Sequence, residues 1–533
     1  MSLPEGGPPA RLRPVENTIG ADQSSAAREI SAGYATDGAA LELGTVVVDG
    51  VVDPSARVRI PFATLNRHGL VAGATGTGKT KTLQGIAEQL SAAGVPVFLA
   101  DVKGDLSGMS RPGEPGPKME QRSRETGDDW APTAYPVDFM SLGGGSSAVP
   151  IRATLTQFGP ILLSKVLDLN ETQESTLGLI FHWADQRGLP LLDTKDLRAV
   201  IQHLTSSEGK ADLKGIGGVS SATAGVILRA LVNLEAQGGE AFFGEPEFEP
   251  SDLLRLVDGK GVVTLLELSD QVANPRLYST FLMWLLAELF EDLPEAGDLD
   301  KPKLVFFFDE AHLLFTDASK AFLERIEQTV KLIRSKGVGV FFCTQLPTDI
   351  PNDVLSQLGA RVQHALRAFT PDDQAALAKT VRTYPNTKNY DMEEALTSLG
   401  TGEAIVTVLS ERGAPTPVAW ARMRAPRSLM AAIGNDAITA AAKASPLYAK
   451  YGQTVDRESA YERLTAKIAE PPPAPMPADV PPPAYEPPPS REREEPSMVE
   501  DVLASPVVKS FLRSAASALG REITRGMFGT RRR

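Results

Sequence analysis

Residues 68–81 read His-Gly-Leu-Val-Ala-Gly-Ala-Thr-Gly-Thr-Gly-Lys-Thr-Lys, and this stretch decides the fold. From Gly73 to Thr80 it fits G-x-x-x-x-G-K-[ST], the spacing of a phosphate-binding loop. The chemistry requires these residue types. Glycines let successive backbone N–H groups curl around phosphate oxygens at φ values that other residues resist. Lys79 is placed to bring a point charge to the β- and γ-phosphates, and Thr80 to put a hydroxyl on Mg2+. The expected nucleotide contacts are therefore Gly73, Ala74, Thr75, Gly76, Thr77, Gly78, Lys79, Thr80 and Lys81. A chance match would lack the right flanks. Here an apolar strand over 68–73 precedes the loop, and Leu83, Ile86, Ala87 and Leu90 recur at helical spacing after it.

The acids needed to complete such a site stand at the end of a second apolar run. Leu304-Val-Phe-Phe-Phe-Asp309-Glu310-Ala-His312 has the form of a Walker B strand. Its apolar residues bury the strand, and the acids emerge at its carboxyl end, where open α/β sheets bind ligands. Asp309 is the expected Mg2+ ligand with Thr80, and Glu310 the expected general base for water. Phe341-Phe-Cys-Thr-Gln345 is a third apolar strand with a polar exit, which makes Gln345 a candidate sensor of the γ-phosphate. Charge on a transferring phosphoryl group calls for an arginine. Arg334, Arg361 and Arg367 flank the late strands, with Arg361 and Arg334 the first candidates. Asp101-Val-Lys-Gly-Asp105 ends another buried strand and reads first as a charged turn, with contact to nucleotide-proximal water or to a partner as the alternative.

Composition sets outer limits. The 533 residues are 42% hydrophobic and 23% charged, ordinary for a globular chain of roughly two to four domains. The formal net charge of −13 argues against general affinity for nucleic acid but leaves room for a local basic stripe. Cys343 is the only cysteine, which rules out an intrachain disulfide and suits a reducing cytosol. The histidines lack ligand spacing, so no structural metal is expected. The amino terminus lacks a basic-then-apolar signal pattern. The apolar run Phe281 to Ala287 is far too short to span a bilayer. A cytoplasmic location is expected.

Along the chain, residues 1–40 are rich in Pro, Gly, Ser and Ala and read as poorly ordered. Alternating stretches over 41–62 suggest a small β lead-in. Residues 41–435 read as one α/β domain in which apolar strands alternate with helices, the pattern of a mostly parallel sheet covered on both faces. A helical insertion is expected at about 155–240, and the Gly/Pro/charge-rich stretch 104–131 reads as a long loop. Residues 436–470 read as a helical extension. The segment 471–497 is a proline-rich linker: 11 of the 19 residues from 471 to 489 are proline, which leaves no core-forming capacity. Residues 498–533 are expected to form a basic amphipathic tail helix, with Val508, Leu512, Ala515, Leu519 and Ile523 in one stripe.

Taken together, the loop, Phe98-Leu-Ala-Asp-Val-Lys-Gly-Asp105, Phe307-Phe-Asp-Glu-Ala-His312, Leu332-Ile-Arg-Ser-Lys-Gly337 and Leu358-Gly-Ala-Arg-Val-Gln-His-Ala-Leu-Arg-Ala-Phe369 resemble the HerA/FtsK superfamily of ATPases. The likeness is to the YjgR-type branch with its HerA-like helicase C-terminal domain. The resemblance implies a RecA-like P-loop fold, ATP and Mg2+ as cofactors, Glu310 as catalytic residue and Thr344-Gln345 as sensor. It also implies a homo-oligomer, with hexameric rings that pump DNA as the pattern of many relatives. Those DNA-pumping members carry an N-terminal β-barrel, whereas the segment ahead of residue 68 reads as weakly structured. Two functions follow as expectations: an ATP-driven motor on nucleic acid, or an ATPase switch acting on protein or membrane partners through the tail helix. A GTPase is disfavoured, because no Asn-Lys-x-Asp base-reading motif follows the Walker B strand.

Overall fold

The computed structural model describes residues 21–143, 148–213, 217–268, 275–316, 318–410 and 412–469. The expected proline-rich linker and tail helix lie outside these residues. Fourteen strands occur among the described residues. They are β1 (Ala40–Val48), β2 (Val51–Pro61), β3 (Gly69–Ala72), β4 (Val97–Asp101), β5 (Val137–Leu142), β6 (Val149–Ile151), β7 (Leu256–Val257), β8 (Lys260–Gly261), β9 (Val263–Glu267), β10 (Leu304–Phe308), β11 (Val338–Thr344), β12 (Ala360–Gln363), β13 (Glu403–Val408) and β14 (Ala419–Met423). Only β7 and β8 stand apart, as a short hairpin. The other twelve form one sheet in the order β2-β1-β14-β13-β12-β3-β11-β10-β4-β9-β5-β6. From β12 to β6 all pairings are parallel, and β13, β14, β1 and β2 extend the sheet antiparallel.

The central strands are apolar throughout because both their faces are buried. In β10, Leu304, Phe306 and Phe308 face one core, while Val305 and Phe307 face the other. β4 divides in the same way, with Phe98 and Ala100 on one side and Val97 and Leu99 on the other. Phe98 stacks on Phe306 with ring centroids 4.4 Å apart. The helix after the loop, Lys79–Ala92, covers the second face with Leu83, Ile86, Ala87 and Leu90. The helix Pro275–Asp292 and the helices between β6 and the β7–β8 hairpin cover the first. This block comprises Leu155–Val166, Glu171–Gln186, Thr194–Thr205, Ser207–Asp212 and Ser221–Ala236.

Three expectations need correction. Residues 21–32, read as poorly ordered, form a helix whose Ala27 and Ile30 are buried against the sheet. The stretch ahead of the loop is equally well structured: β1 and β2 turn at Asp49-Gly50, both at positive φ, and β1 pairs with β14. The stretch 104–131 is not all loop, since Pro117–Thr126 is helical. Of its residues only Thr126 is buried, so no hydrophobic period marks it. Pro117 in its first turn and Gly127 at a left-handed C-cap are its legible signals. Among the described residues, no helix is long and apolar enough to cross a membrane.

Candidate nucleotide site

β3 delivers the loop at the carboxyl edge of the sheet, between β12 and β11. Gly73, Gly76 and Gly78 adopt φ of 148°, 81° and 120°, a region that L side chains resist. The first amide of the loop is shared with the neighbouring strand end: Gly73 N–H donates to the carbonyls of Thr344 and Gln345 at 3.3 and 3.1 Å. Lys79 Nζ rests on the carbonyls of Gly73 and Ala74 at 2.6 and 3.1 Å. Those carbonyls stand in for phosphate oxygens, so the ammonium is already held inside the loop. Thr77 closes the turn by donating to Ala74 O at 2.8 Å. Thr80 is the second residue of the helix, and Lys81 Nζ donates to Gln84 at 3.1 Å.

β11 separates β3 from β10, so the Asp309-Glu310 pair emerges two strands away from the loop, with Thr344 at the end of the strand between. Burial, with the charge of Glu310 second, pushes the Asp309 carboxyl up to about 6, against the Cys343 thiol that hydrogen-bonds to it and the nearby Lys103. A half-buried carboxyl opposed by a second acid is a group that a cation would stabilise, and Thr80 at the start of the helix after the loop supplies a hydroxyl. This donor set fits Mg2+ beside a triphosphate. Glu310 sits at φ 48°, unusual for a residue with a side chain, and its N–H donates to Asp309 Oδ1 at 3.0 Å. The chain is then pinned by Ala311 N–H on Cys343 O at 2.8 Å. Glu310 Oε2 lies 3.5 Å from His312 Nδ1. Gln345 is exposed, and the Thr344 hydroxyl donates to Asp349 at 2.6 Å.

Two further side chains, His364 and Tyr278, join the site without a signal in the sequence, and Arg367, third among the candidate arginines, is the one that reaches the loop. His364, buried after β12, lies beneath the loop: its ring meets Glu403 O at 2.8 Å through Nδ1 and Thr82 Oγ1 at 3.0 Å through Nε2. Burial lowers its pKa to about 4. Arg367 reaches the apex of the loop, donating to Thr75 O at 3.3 Å. Tyr278 is buried near both acids, and its phenol is raised first by burial and then by Glu310 and Asp309.

The two favoured arginines are not brought to the loop within one chain. Arg361 precedes the carboxyl edge, paired with Leu70, and donates to Thr383 O at 2.9 Å and Leu355 O at 3.4 Å. Arg334 lies before β11, at the opposite edge of the sheet, and is exposed. Asp101 is a self-contained turn: its carboxylate accepts the amides of Lys103, Gly104 and Leu106 at 3.3, 2.8 and 2.9 Å.

Residues 48–533 match the family described as Helicase HerA-like C-terminal. The chain belongs to this family. It is 22% identical over 368 residues to the DNA double-strand break repair helicase HerA of Sulfurisphaera tokodaii, covering 68% of this chain and 66% of that protein. Solved structures similar to it include an unbound bacterial conjugative coupling protein TrwB, at 15% identity and TM-score 0.48 over 76% of this chain and 94% of that one. TrwB with ADP and Mg2+ is similar at 16% identity and TM-score 0.46, over 74% of this chain and 98% of that one. VirB4 of Thermoanaerobacter pseudethanolicus is similar at 15% identity and TM-score 0.48, over 73% and 98%. With its parallel sheet and its loop beside the acid-bearing strands, the chain has a RecA-like P-loop fold.

Proposed function

We propose that this HerA-family chain is a Mg2+-dependent ATP hydrolase. The observation that carries the reading is the joining of loop, Thr344 and Asp309-Glu310 along one sheet edge, with Gly73 N–H bonded to the end of β11. The loop amides and Lys79 bind and orient the phosphates. Thr80 and Asp309 would hold Mg2+, which would supply positive charge against the charge developing on the phosphoryl group. Glu310 accepts a proton from water as the water oxygen bonds to the γ-phosphorus. The bond to the bridging oxygen breaks, and ADP leaves with the electron pair. Gln345 orients the water, and Arg367 steadies the loop apex through Thr75 O. Arg334 is exposed and far from its own loop, so its use at a phosphate requires a neighbouring copy. Arg361 would first have to release two backbone carbonyls.

The relative named a DNA double-strand break repair helicase favours an oligomeric motor, hexameric by family pattern, acting on DNA in the cytoplasm. The net charge of −13 favours the second reading, an ATPase switch directed at protein or membrane partners. Phosphate release measured with and without duplex and single-stranded DNA, alongside the solution mass, decides between them. Stimulation of several-fold by DNA in an oligomer supports the motor. Turnover indifferent to DNA supports the switch.

A further inference from the structure

The helix Leu155–Val166 opens the block inserted between β6 and the β7–β8 hairpin, and Leu155, Phe158, Leu162, Leu163 and Val166 bury its inner face. Lys165 is buried with them, at 6% exposure. Taking an ammonium out of water carries a penalty of several kcal/mol, and a methionine would fill the same space without it. Packing does not account for the charge. What the ammonium holds lies outside its own block. Lys165 Nζ donates to the Thr316 carbonyl at 2.5 Å and stands 5.8 Å from the centre of the Phe322 ring. Both partners flank the exit of the acid-bearing segment: Thr316 follows the short helix His312–Phe315, and Phe322 lies in the first turn of the helix Lys320–Ile333.

From Thr316 the contacts run back to Glu310. The Thr316 N–H and hydroxyl both donate to the His312 carbonyl, at 3.0 and 2.9 Å. The His312 ring places Nδ1 3.5 Å from Glu310 Oε2. Leu313 N–H donates to Glu310 O at 3.0 Å, which closes the turn on the acid itself. Glu310 holds φ at 48°, a conformation that a residue with a side chain keeps only where its surroundings enforce it. On the near side, Ala311 N–H on Cys343 O supplies that restraint. On the far side the turn ends at Thr316, and Lys165 reaches it from the helical block.

We propose that Lys165 is a positioning residue for Glu310: by fixing Thr316 it keeps the turn 310–316 closed and the carboxylate aimed at the water. It acts only through the turn. The proposal rests on the reading of Glu310 as general base. A loosened turn displaces the carboxylate, and a misplacement of about 1 Å lowers a rate by up to about 10²-fold. The loss is bounded by what the base itself contributes, about 10²–10⁴.

The test is phosphate release and ATP affinity for the full chain carrying Lys165→Met, alone and combined with Glu310→Gln. Methionine keeps the stem and deletes the ammonium. Expected are a fall in kcat of about 10–10²-fold, unchanged ATP affinity and no further loss when the change is added to Glu310→Gln, because the aim of a base is immaterial once the base is gone. Lys165→Gln keeps a donor and should lose less; it carries the same comparison if the methionine variant melts below the assay temperature. Normal kcat in both variants overturns the proposal. So does a loss in Lys165→Met that multiplies with that of Glu310→Gln, or one that falls on ATP affinity, because Lys165 then supports the fold at large. Those results leave Glu310→Gln impaired and the ATPase reading intact. Absence of turnover by wild type, or a Glu310→Gln protein as fast as wild type, overturns both.

Discussion

Replacing His364 tests whether the loop depends on what lies beneath it. A Cβ added to Gly73 would stand 2.6 Å from the His364 Cβ, and one added to Gly78 would stand 3.5 Å from Cε1, so the residue is in contact under both glycines. Glu403 O can only accept, which makes Nδ1 the donor at 2.8 Å and leaves Nε2 to accept from the Thr82 hydroxyl at 3.0 Å. That tautomer is neutral, in agreement with a pKa of about 4. In His364→Ala the Glu403 carbonyl loses a buried partner, at about 1–3 kcal/mol. The Thr82 hydroxyl can turn to its own helix, so its loss falls at the low end. The vacated ring volume adds about 1–2 kcal/mol. The sum is about 3–6 kcal/mol of stability, read by urea unfolding followed through tryptophan fluorescence. His364→Asn returns an N–H donor near the position of Nδ1 and should recover about 1 kcal/mol. Nucleotide affinity should fall about tenfold in His364→Ala, equivalent to about 1.4 kcal/mol. A His364→Ala protein within 1 kcal/mol of wild type, or an Asn variant no better than Ala, would refute the reasoning.

Other perturbations separate binding from folding. Lys79→Ala removes an ammonium bonded to two loop carbonyls and no core packing; ATP affinity should fall about 10²-fold by titration while the domain stays folded, since charge-assisted bonds are worth about 1.5–3 kcal/mol each. Arg367→Ala should lower kcat with little effect on stability, because its guanidinium bonds only the loop apex among the contacts observed; unchanged kcat and affinity would remove Arg367 from the site. Glu288 is raised from 4.5 to about 8, first by burial and then by Glu291, Glu247 and Asp292, with Arg325 opposing. Its folded state prefers the proton, so its contribution is complete below about pH 4.5 and is lost as the pH climbs toward 8. Glu288→Gln should therefore match wild type near pH 4.5 and exceed it at pH 8 by up to about 4 kcal/mol; parallel pH–stability curves would count against this.

Much of the site is legible in order of burial. The strands that carry it are apolar on both faces, as in Leu304 to Phe308, and such runs followed by Asp-Glu or Gly-rich exits announce themselves. The helix Pro117–Thr126 does not, because almost none of it is buried. β5, β6 and β14 are short and lack such runs; β14 alternates buried and half-buried residues over only Ala419–Met423. The arginines show a different limit. Arg334 and Arg361 stand close in sequence to the right strands but enter them from the amino side, whereas ligands of a parallel sheet gather at the carboxyl edge. That rule selects Arg367, which follows β12. His364 could not be found from spacing at all, since its partners Thr82 and Glu403 are distant in sequence and meet only through β12 and β13.

The central claim is hydrolysis at the Asp309-Glu310 pair, and the most direct measurement is phosphate release by wild type and Glu310→Gln under saturating Mg2+ and ATP, with ATP affinity determined for both. The amide keeps the shape of Glu310 but cannot take a proton from water, a role worth about 10²–10⁴ in rate. The account predicts turnover by wild type, a loss of that order in the variant and unchanged ATP affinity. Equal turnover by the two proteins would contradict it and move the base to another residue.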